Sequence, residues 1–551
     1  VKYLYVYFLI IFNFSLFGQN TVGTIINEIG SYNGYTLFTA NHSGETYLIN
    51  NCGEIVNQWS STNKPGVAVY LLENGNLLRT AKINNTNITF GGVGGKIELF
   101  DWDDNLLWEY TYSSSTATQH HDVFPLPNGN ILMLAATTMT EAEAIQAGRD
   151  SAKLTEGKLY NEQILELEPV GANQANIVWE WNIKDHLIQD IDNTKSNFGV
   201  IADNPQLLNI NYLSGGNPGE ANWLHVNSIQ YNASLDQIML SSRFMNEIYI
   251  IDHSTSTLEA SQHSGGTYGK GGDFLYRWGN PEAYNHGDTT NKQLFGQHYP
   301  HWIAEGLTDA GKILIFNNGA KRGNTGDEYF SSLDIIDPLE SSPGSYIYDP
   351  INGYGPSVAE WSYTKPVKED FYSPILSSGQ RLPNGNTLIC VGFFGRFFEI
   401  DPSNNIVWEY TNPDTSSGGT QVIQTQGQLP TALGSVFRVL RYSTDYKAFK
   451  GRDLTPKGTI ENGNDLGNCE VLNNKEFQLV DLKVFPNPIE NVVNIETTTL
   501  INKVEIYNTL GQFVTKGVNS NKIYLNNLTK GLYVMKIYTN YGYVNKKIIK
   551  N

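Results

Sequence analysis

The chain has 551 residues, 40% hydrophobic and 17% charged, with 52 glycines and a net charge of −18. That is a globular composition, and its acidic balance argues against a nucleic-acid partner, because crowding phosphates needs a basic face. Three cysteines exclude a disulfide-dense scaffold, and no run of about 20 apolar residues follows the N-terminal segment, so no spanning helix is expected.

Residues 1–18 read as a cleaved secretory signal. Lys2 supplies the positive start, Tyr3 to Phe12 the apolar stretch, and Gly18 a small residue for cleavage before Gln19. Export implies an oxidising compartment, in which Cys52 and Cys390 are able to pair, but Cys469 makes the number odd and the sequence does not decide the pairing.

Residues 19–456 carry a repeat. Each unit holds an apolar strand, a turn such as Asn74-Gly75-Asn76, Asn128-Gly129-Asn130 or Asn384-Gly385-Asn386, and a second apolar strand. Closing strands with a tryptophan end the units, at Ile55 to Trp59, Leu106 to Tyr110, Ile177 to Trp181, Leu275 to Trp278, Val358 to Tyr363 and Ile406 to Tyr410. Six closing strands with regular turns predict an all-β chain built as a six-bladed β-propeller. The first unit is short, so Ser435 to Tyr442 is expected to return and complete it, which removes an exposed edge.

The innermost strand of each blade lines the channel of such a ring, and three of these strands begin with histidine. They are Gln119-His120-His121-Asp122, Trp223-Leu224-His225-Val226 and Gln297-His298-Tyr299-Pro300-His301. A hairpin after His225 returns Arg243 to the same end. Neutral imidazoles beside a guanidinium suit an oxyanion, because arginine grips sulfate or phosphate oxygens bidentately and imidazole attacks or moves a proton.

On these residues the central region resembles the bacterial aryl-sulfate sulfotransferases. The resemblance covers roughly residues 30–450 and rests on His120-His121-Asp122 before a Pro-Asn-Gly-Asn turn, on His225 followed by Ser241-Ser242-Arg243, and on Gln297-His298 before Asn317-Asn318-Gly319. It implies transfer of a sulfuryl group from an aryl sulfate to a phenol through a sulfated histidine, without a nucleotide or other cofactor. Carried over by motif, His298 is the nucleophile, supported by His121, His225 and Arg243. His301 shares the segment and fits the His-to-turn spacing of the His225 blade, so the choice between His298 and His301 stays open. Net hydrolysis to free sulfate and a non-enzymatic surface propeller that binds glycans or proteins are the competing functions.

Other motifs carry less. Three imidazoles suit zinc, but a nearby arginine repels a dication, so no metal is expected there. Phe90-Gly91-Gly92-Val93-Gly94-Gly95-Lys96 lacks the leading glycine and the Ser/Thr of a phosphate loop and reads as a hairpin or loop. Asp101, Asp103 and Asp104 read as a β-turn rather than a calcium site.

Residues 457–481 form a Gly- and Asn-rich linker, and residues 482–551 a separate module. The module has nine lysines and three glutamates, a net of +6, which leaves −24 on the rest of the chain. Short alternating strands predict a small β-sandwich. Val484-Phe485-Pro486-Asn487-Pro488, Tyr507-Asn508-Thr509-Leu510-Gly511-Gln512 and Gly531-Leu532-Tyr533-Val534, in that order, resemble the C-terminal sorting domain of type IX secretion substrates. That resemblance implies engagement of the type IX machinery and secretion or surface attachment by way of the periplasm.

Overall fold

The computed structural model describes residues 21–551 apart from 214–218, 323–326, 418, 428–433, 465, 467–468, 470–481, 498–500, 509–512, 519–520 and 540–541. The expected signal at 1–18 and much of the expected linker lie outside the described residues. The chain divides into two compact units, residues 1–465 and 466–551.

The first unit is all-β, with only two short α-helices, Glu141–Gln146 and Thr257–Ala260, among the described residues. Six antiparallel sheets follow one another along the chain. The second has strands Pro65–Leu71, Leu77–Lys82, Gly95–Phe100 and Leu106–Thr111. The third has Ala117–Pro125, Ile131–Thr140, Lys158–Val170 and Gln174–Asn182. The fourth has Val226–Asn232, Gln237–Ser242, Glu247–Asp252 and Tyr276–Trp278. The fifth has His298–Trp302, Ile313–Asn317, Ser332–Ile336 and Trp361–Tyr363. The sixth has Ser378–Arg381, Thr387–Val391, Arg396–Ile400 and Ile406–Thr411, with Gly23–Asn27 added outside. The first sheet draws on both ends of the unit, because Leu440–Ser443 pairs with Gly34–Thr39 ahead of Glu45–Ile49 and Ile55–Ser60.

First strands of consecutive sheets stand side by side. The order closes where Arg441 and Gln380 exchange hydrogen bonds of 2.8 and 3.0 Å, joining the first sheet to the sixth. The tryptophans of the closing strands do the same at the outside. The Trp59 indole N–H donates to the Asp101 carbonyl, Trp108 to Gln174, Trp181 to Gly272, Trp278 to Pro356 and Trp408 to Asn51, all at 2.7–2.8 Å. Each bond ties one sheet to the next, the last returning from the sixth to the first. The fifth sheet uses Trp361 differently, as a platform 4.5 Å beneath the Arg381 guanidinium of the sixth. In the predicted turns an asparagine side chain accepts the N–H two residues on, as from Asn76 to Asn74 Oδ1 at 2.9 Å, and Gly75 takes φ 88°.

One question the sequence left open is answered, and one boundary moves. Cys390 is a free, fully buried thiol, whereas Cys52 and Cys469 are each disulfide-bonded, so Cys52 and Cys390 do not pair. Residues at the start of the expected linker pack on the first unit: Ile55 and Lys457 to Gly458 exchange backbone hydrogen bonds of 2.7–2.8 Å, and Ile460 is buried among Trp408 and Tyr410.

The second unit holds two antiparallel sheets. One orders Lys483–Phe485, Val492–Glu496 and Lys522–Tyr524, and the other Phe513–Val518, Ile501–Asn508, Gly531–Thr539 and Gly542–Lys550. Val493, Ile495 and Ile523 of the first share one apolar cluster with Val504, Ile506, Met535, Ile537 and Ile548 of the second. Among the described residues no helix is long and apolar enough to cross a membrane.

Candidate active site

The site is built from irregular strand starts. Where the first strands of sheets two to six begin, non-glycine residues adopt left-handed backbone: Val67 (φ 103°), His121 (47°), His225 (50°), Tyr299 (49°), Leu376 (62°) and Ser377 (92°). In sheets two to five the strand ladder slips at these places. Such a bulge takes a side chain out of the normal alternation and re-aims it, at about 1–3 kcal/mol of strain per residue. Here the re-aimed groups meet. His121, His225, His298 and Arg243 line one cavity of about 760 Å³, walled by Phe90, Gly92, Phe244, Leu376 and Phe437. The His121 and His225 rings stand 4.7 Å apart and nearly perpendicular.

Hydrogen-bond partners fix the tautomers. The Asn318 amide nitrogen donates to the Ser373 and Leu376 carbonyls at 2.8 and 3.0 Å, so its Oδ1 faces His298 Nδ1 at 2.7 Å. Nδ1 of His298 therefore carries the proton, and Nε2 keeps its lone pair. The Leu376 backbone N–H approaches that nitrogen at 3.2 Å. Burial, reinforced by the Arg243 charge, pulls the His298 imidazole down to about 3, so it is neutral at physiological pH.

His121 heads a relay. Its Nδ1 lies 3.0 Å from His120 Nδ1, and His120 Nε2 lies 2.9 Å from a Glu162 carboxylate oxygen. The carboxylate only accepts, so His120 donates through Nε2 and His121 donates through Nδ1, which bares His121 Nε2. The other Glu162 oxygen accepts the Val226 N–H at 3.1 Å, anchoring the strand that follows His225. His225 Nδ1 lies 2.7 Å from the Asn222 amide nitrogen, an arrangement that leaves the proton on Nε2. Burial, then neighbouring positive groups, holds both His121 and His225 well below the usual histidine range.

Arg243 follows the strand Gln237–Ser242, and its N–H donates to the His225 carbonyl at 3.2 Å, as the predicted hairpin requires. Its guanidinium lies 5.3 Å from the Phe244 ring and 3.5 Å from the Pro374 carbonyl, and Nε is buried without a partner. Among the described residues it makes no ion pair. A guanidinium so placed keeps its proton and waits for an anion.

Two histidines of the sequence pattern stand elsewhere. His120 faces back to Glu162. His301 pairs with Leu314 where His298 pairs with Phe316, two rungs along the strand, and its Nδ1 approaches the Tyr299 carbonyl at 3.2 Å. It is not among the cavity residues. The glycine-rich segment is the loop between Leu77–Lys82 and Gly95–Phe100, lying over His121: the His121 N–H donates to the Gly92 carbonyl at 2.7 Å, and a Cβ on Gly92 would meet the imidazole at 2.2 Å. Asp101 makes a turn, accepting from the N–H groups of Asp103 and Asn105 at 2.9 and 2.8 Å. The sequence pattern does not include Glu162 and Asn222, and it includes Asn318 only within the Asn317-Asn318-Gly319 motif, with no role attached. Glu162 is one of three glutamates on the strand Lys158–Val170, and nothing in the strand's sequence singles it out.

The arylsulfotransferase (ASST) family profile matches residues 32–427, nearly three-quarters of the chain and every cavity histidine. The chain belongs to the arylsulfotransferase family. A secretion-system C-terminal sorting domain matches residues 483–551, so this arylsulfotransferase family member is exported to the cell surface or the medium. No curated protein matches the chain. Similar solved structures include a protein of unknown function from Bacteroides caccae, 12% identical over 75% of this chain and 99% of that one, TM-score 0.37. Others are virginiamycin B lyase from Staphylococcus aureus with quinupristin, 11% identical over 71% and 89%, TM-score 0.32, and AztD from Citrobacter koseri, 11% identical over 75% and 98%, TM-score 0.31. Likenesses this distant carry nothing about the function of this family member.

Proposed function

We propose that the six sheets are the blades of a closed propeller, that the C-terminal unit is a β-sandwich delivered to the type IX machinery, and that the cavity transfers a sulfuryl group from an aryl sulfate to a phenol. The domain layout is then a processed leader at 1–18, a propeller from 19 that includes the residues from 457 to 460 packed on it, a linker reaching to 481 and the sorting domain at 482–551. The observation that carries the chemistry is the meeting, in one cavity, of an oriented His298 Nε2 that accepts only the Leu376 N–H with an Arg243 that makes no ion pair.

His298 Nε2 attacks sulfur in line, the N–S bond forms as the S–O(aryl) bond breaks, and the electron pair leaves on a phenolate. Arg243 and the His225 Nε2–H neutralise the sulfuryl oxygens, and the Leu376 N–H turns from Nε2 to one of them. Asn318 holds the proton on Nδ1 throughout, so the attacking nitrogen never needs to be deprotonated. In the second half the acceptor phenol gives its proton to His121 Nε2, the developing charge is balanced through His120 by Glu162, and the phenolate takes the sulfuryl group from His298. His121 then passes this proton to solvent, which balances the phenolate released in the first half and returns the imidazole to its neutral resting form. As in phosphoryl transfer, the work is positioning and charge neutralisation.

The test is incubation with an aryl sulfate, with and without an added phenol. Phenol-dependent release of the donor phenol is expected. Equal release without acceptor indicates a hydrolase, and no release a binding protein. Mass spectrometry after trapping with a slow donor should place the sulfuryl group on His298 of the Gln297–Trp302 peptide, and His298→Ala should abolish both label and turnover; a label on His301 would overturn the assignment.

A further inference from the structure

Away from the cavity, His186, His263 and Asp273 bring three ligand atoms within 4.8 Å of one another. His186 Nδ1 and His263 Nδ1 both lie 2.8 Å from the same oxygen, Asp273 Oδ1. At its other nitrogen, fully buried His186 lies 2.9 Å from the Ala260 carbonyl. A carbonyl and a carboxylate both only accept, so both nitrogens of one buried imidazole face acceptors. A neutral imidazole satisfies one of them. A cation between Nδ1 and Oδ1 satisfies the other and accounts for the second imidazole converging on the same oxygen.

We propose that His186, His263 and Asp273 bind a divalent transition metal, zinc in the first instance. Two imidazoles and a carboxylate are a zinc donor set, with a fourth position left to water. The His186 Nε2–H on the Ala260 carbonyl is the outer hydrogen bond that metal-bound histidines characteristically make, fixing ring and tautomer. The cradle is shaped for the ring: His186 stacks on Trp181 at 5.4 Å with an interplanar angle of 7°, and a Cβ on Gly272 would come 2.6 Å from His186 Nε2 and 2.1 Å from the Ala260 carbonyl. Ligand atoms around tetrahedral zinc sit about 3.4 Å apart at bond lengths of about 2.1 Å. The 2.8 Å contacts therefore open slightly on binding, a movement exposed His263 takes by rotating. The Asp185 carboxyl interacts electrostatically with both imidazoles and favours a cation, while the Lys270 ammonium, near Asp273, opposes it.

The place in the fold gives the ion a structural role. His186 follows the last strand of the third sheet, and His263 and Asp273 lie in the loop before the last strand of the fourth. Zinc there staples the two sheets beside the Trp181–Gly272 hydrogen bond.

The experiment titrates the chelator-treated full chain with Zn²⁺ alone, reading bound metal and melting temperature. One equivalent should bind and raise the melting temperature. His263→Gln, at an exposed position, should fold, keep its aryl-sulfate activity and lose both the stoichiometric zinc and the zinc-dependent rise; Asp273→Asn should lose the zinc as well. Absence of stoichiometric binding to the wild type would overturn the proposal and leave a buried imidazolium–carboxylate pair. Wild-type binding by both variants would overturn it equally, by placing the metal elsewhere.

Discussion

Two arginines of the fourth sheet, Arg277 on its last strand and Arg243 just after its second, separate stability from function. Arg277 is fully buried and spends its charge internally. Its Nε and one terminal nitrogen grip Glu247 at 2.8 and 2.5 Å, the other terminal nitrogen reaches the Leu207 carbonyl at 2.9 Å, and the Tyr284 ring lies 4.3 Å away. Arg441 with Glu399 at 2.6 Å and Arg438 with Asp122 follow the same pattern. Arg243 has none of this: a carbonyl at 3.5 Å, an aromatic ring, and a cavity. A half-buried charge without an ion-pair partner is costly, so the fold retains Arg243 for what enters from outside.

The comparison breaks or sharpens by substitution. Glu247→Gln strands the Arg277 charge, and removing one partner of a buried pair typically costs about 3–5 kcal/mol. The denaturation midpoint should fall steeply, with aryl-sulfate turnover per folded molecule little changed. Arg243→Ala should do the reverse. Losing one preorganised donor to transition-state charge costs on the order of 10²–10³ in rate, while the melting temperature stays level or rises. A large stability loss in Arg243→Ala would mean the two arginines are of one kind. Arg243→Lys should recover only part of the rate, because an ammonium lacks the fork.

Glu162→Gln is expected to have a smaller effect. It keeps the acceptor for the Val226 N–H but removes the charge behind the His120–His121 relay. A loss of about tenfold in kcat is expected, a fraction of the about 10²–10⁴ that proton transfer contributes. The loss should grow as the acceptor phenol becomes less acidic.

The smallest effect on rate is in pH. The folded His298 imidazole is pulled down to about 3, and His121 and His225 shift the same way, so below the unfolded value of about 6.5 the unfolded chain binds more protons. Stability should therefore fall as pH drops from about 6.5 towards 3 and show no contribution from these groups above it. Over the upper part of that window the nucleophile stays unprotonated. With an activated donor, the rate from pH 7 to 5 should fall less than the melting temperature does, checked by paired rate and melting profiles.

The repeat was legible because each unit punctuates itself. Asn-Gly-Asn turns and tryptophan closing strands are local signals, and every closing tryptophan lies on the outer side of its sheet. The histidines were legible as strand starts, since three units repeat them. The bulges were not: nothing in Gln297-His298-Tyr299-Pro300-His301 says that Tyr299 takes the left-handed turn, which sets His301 two rungs from His298. Glu162 comes to His120 through pairing of the third sheet's strands, and Asn318 comes to His298 across a hairpin. Such partners depend on register between distant segments, which residue spacing along the chain does not encode. The cysteine pairing was not legible either, because an odd count of three leaves the partners undecided and only the fold shows that an apolar strand buries the Cys390 thiol.

The pairing of Leu440–Ser443 with Gly34–Thr39 sets an order in time. Until residue 440 has emerged, the first sheet presents a bare edge and the sixth lacks its neighbour across the Arg441–Gln380 bonds. Partners some 400 residues apart in sequence must find each other, which is slow and leaves unpaired edges exposed meanwhile. The closing strand lies near the end of its unit, just ahead of the region that carries the sorting sequence. The chain therefore completes its first unit shortly before its export address emerges.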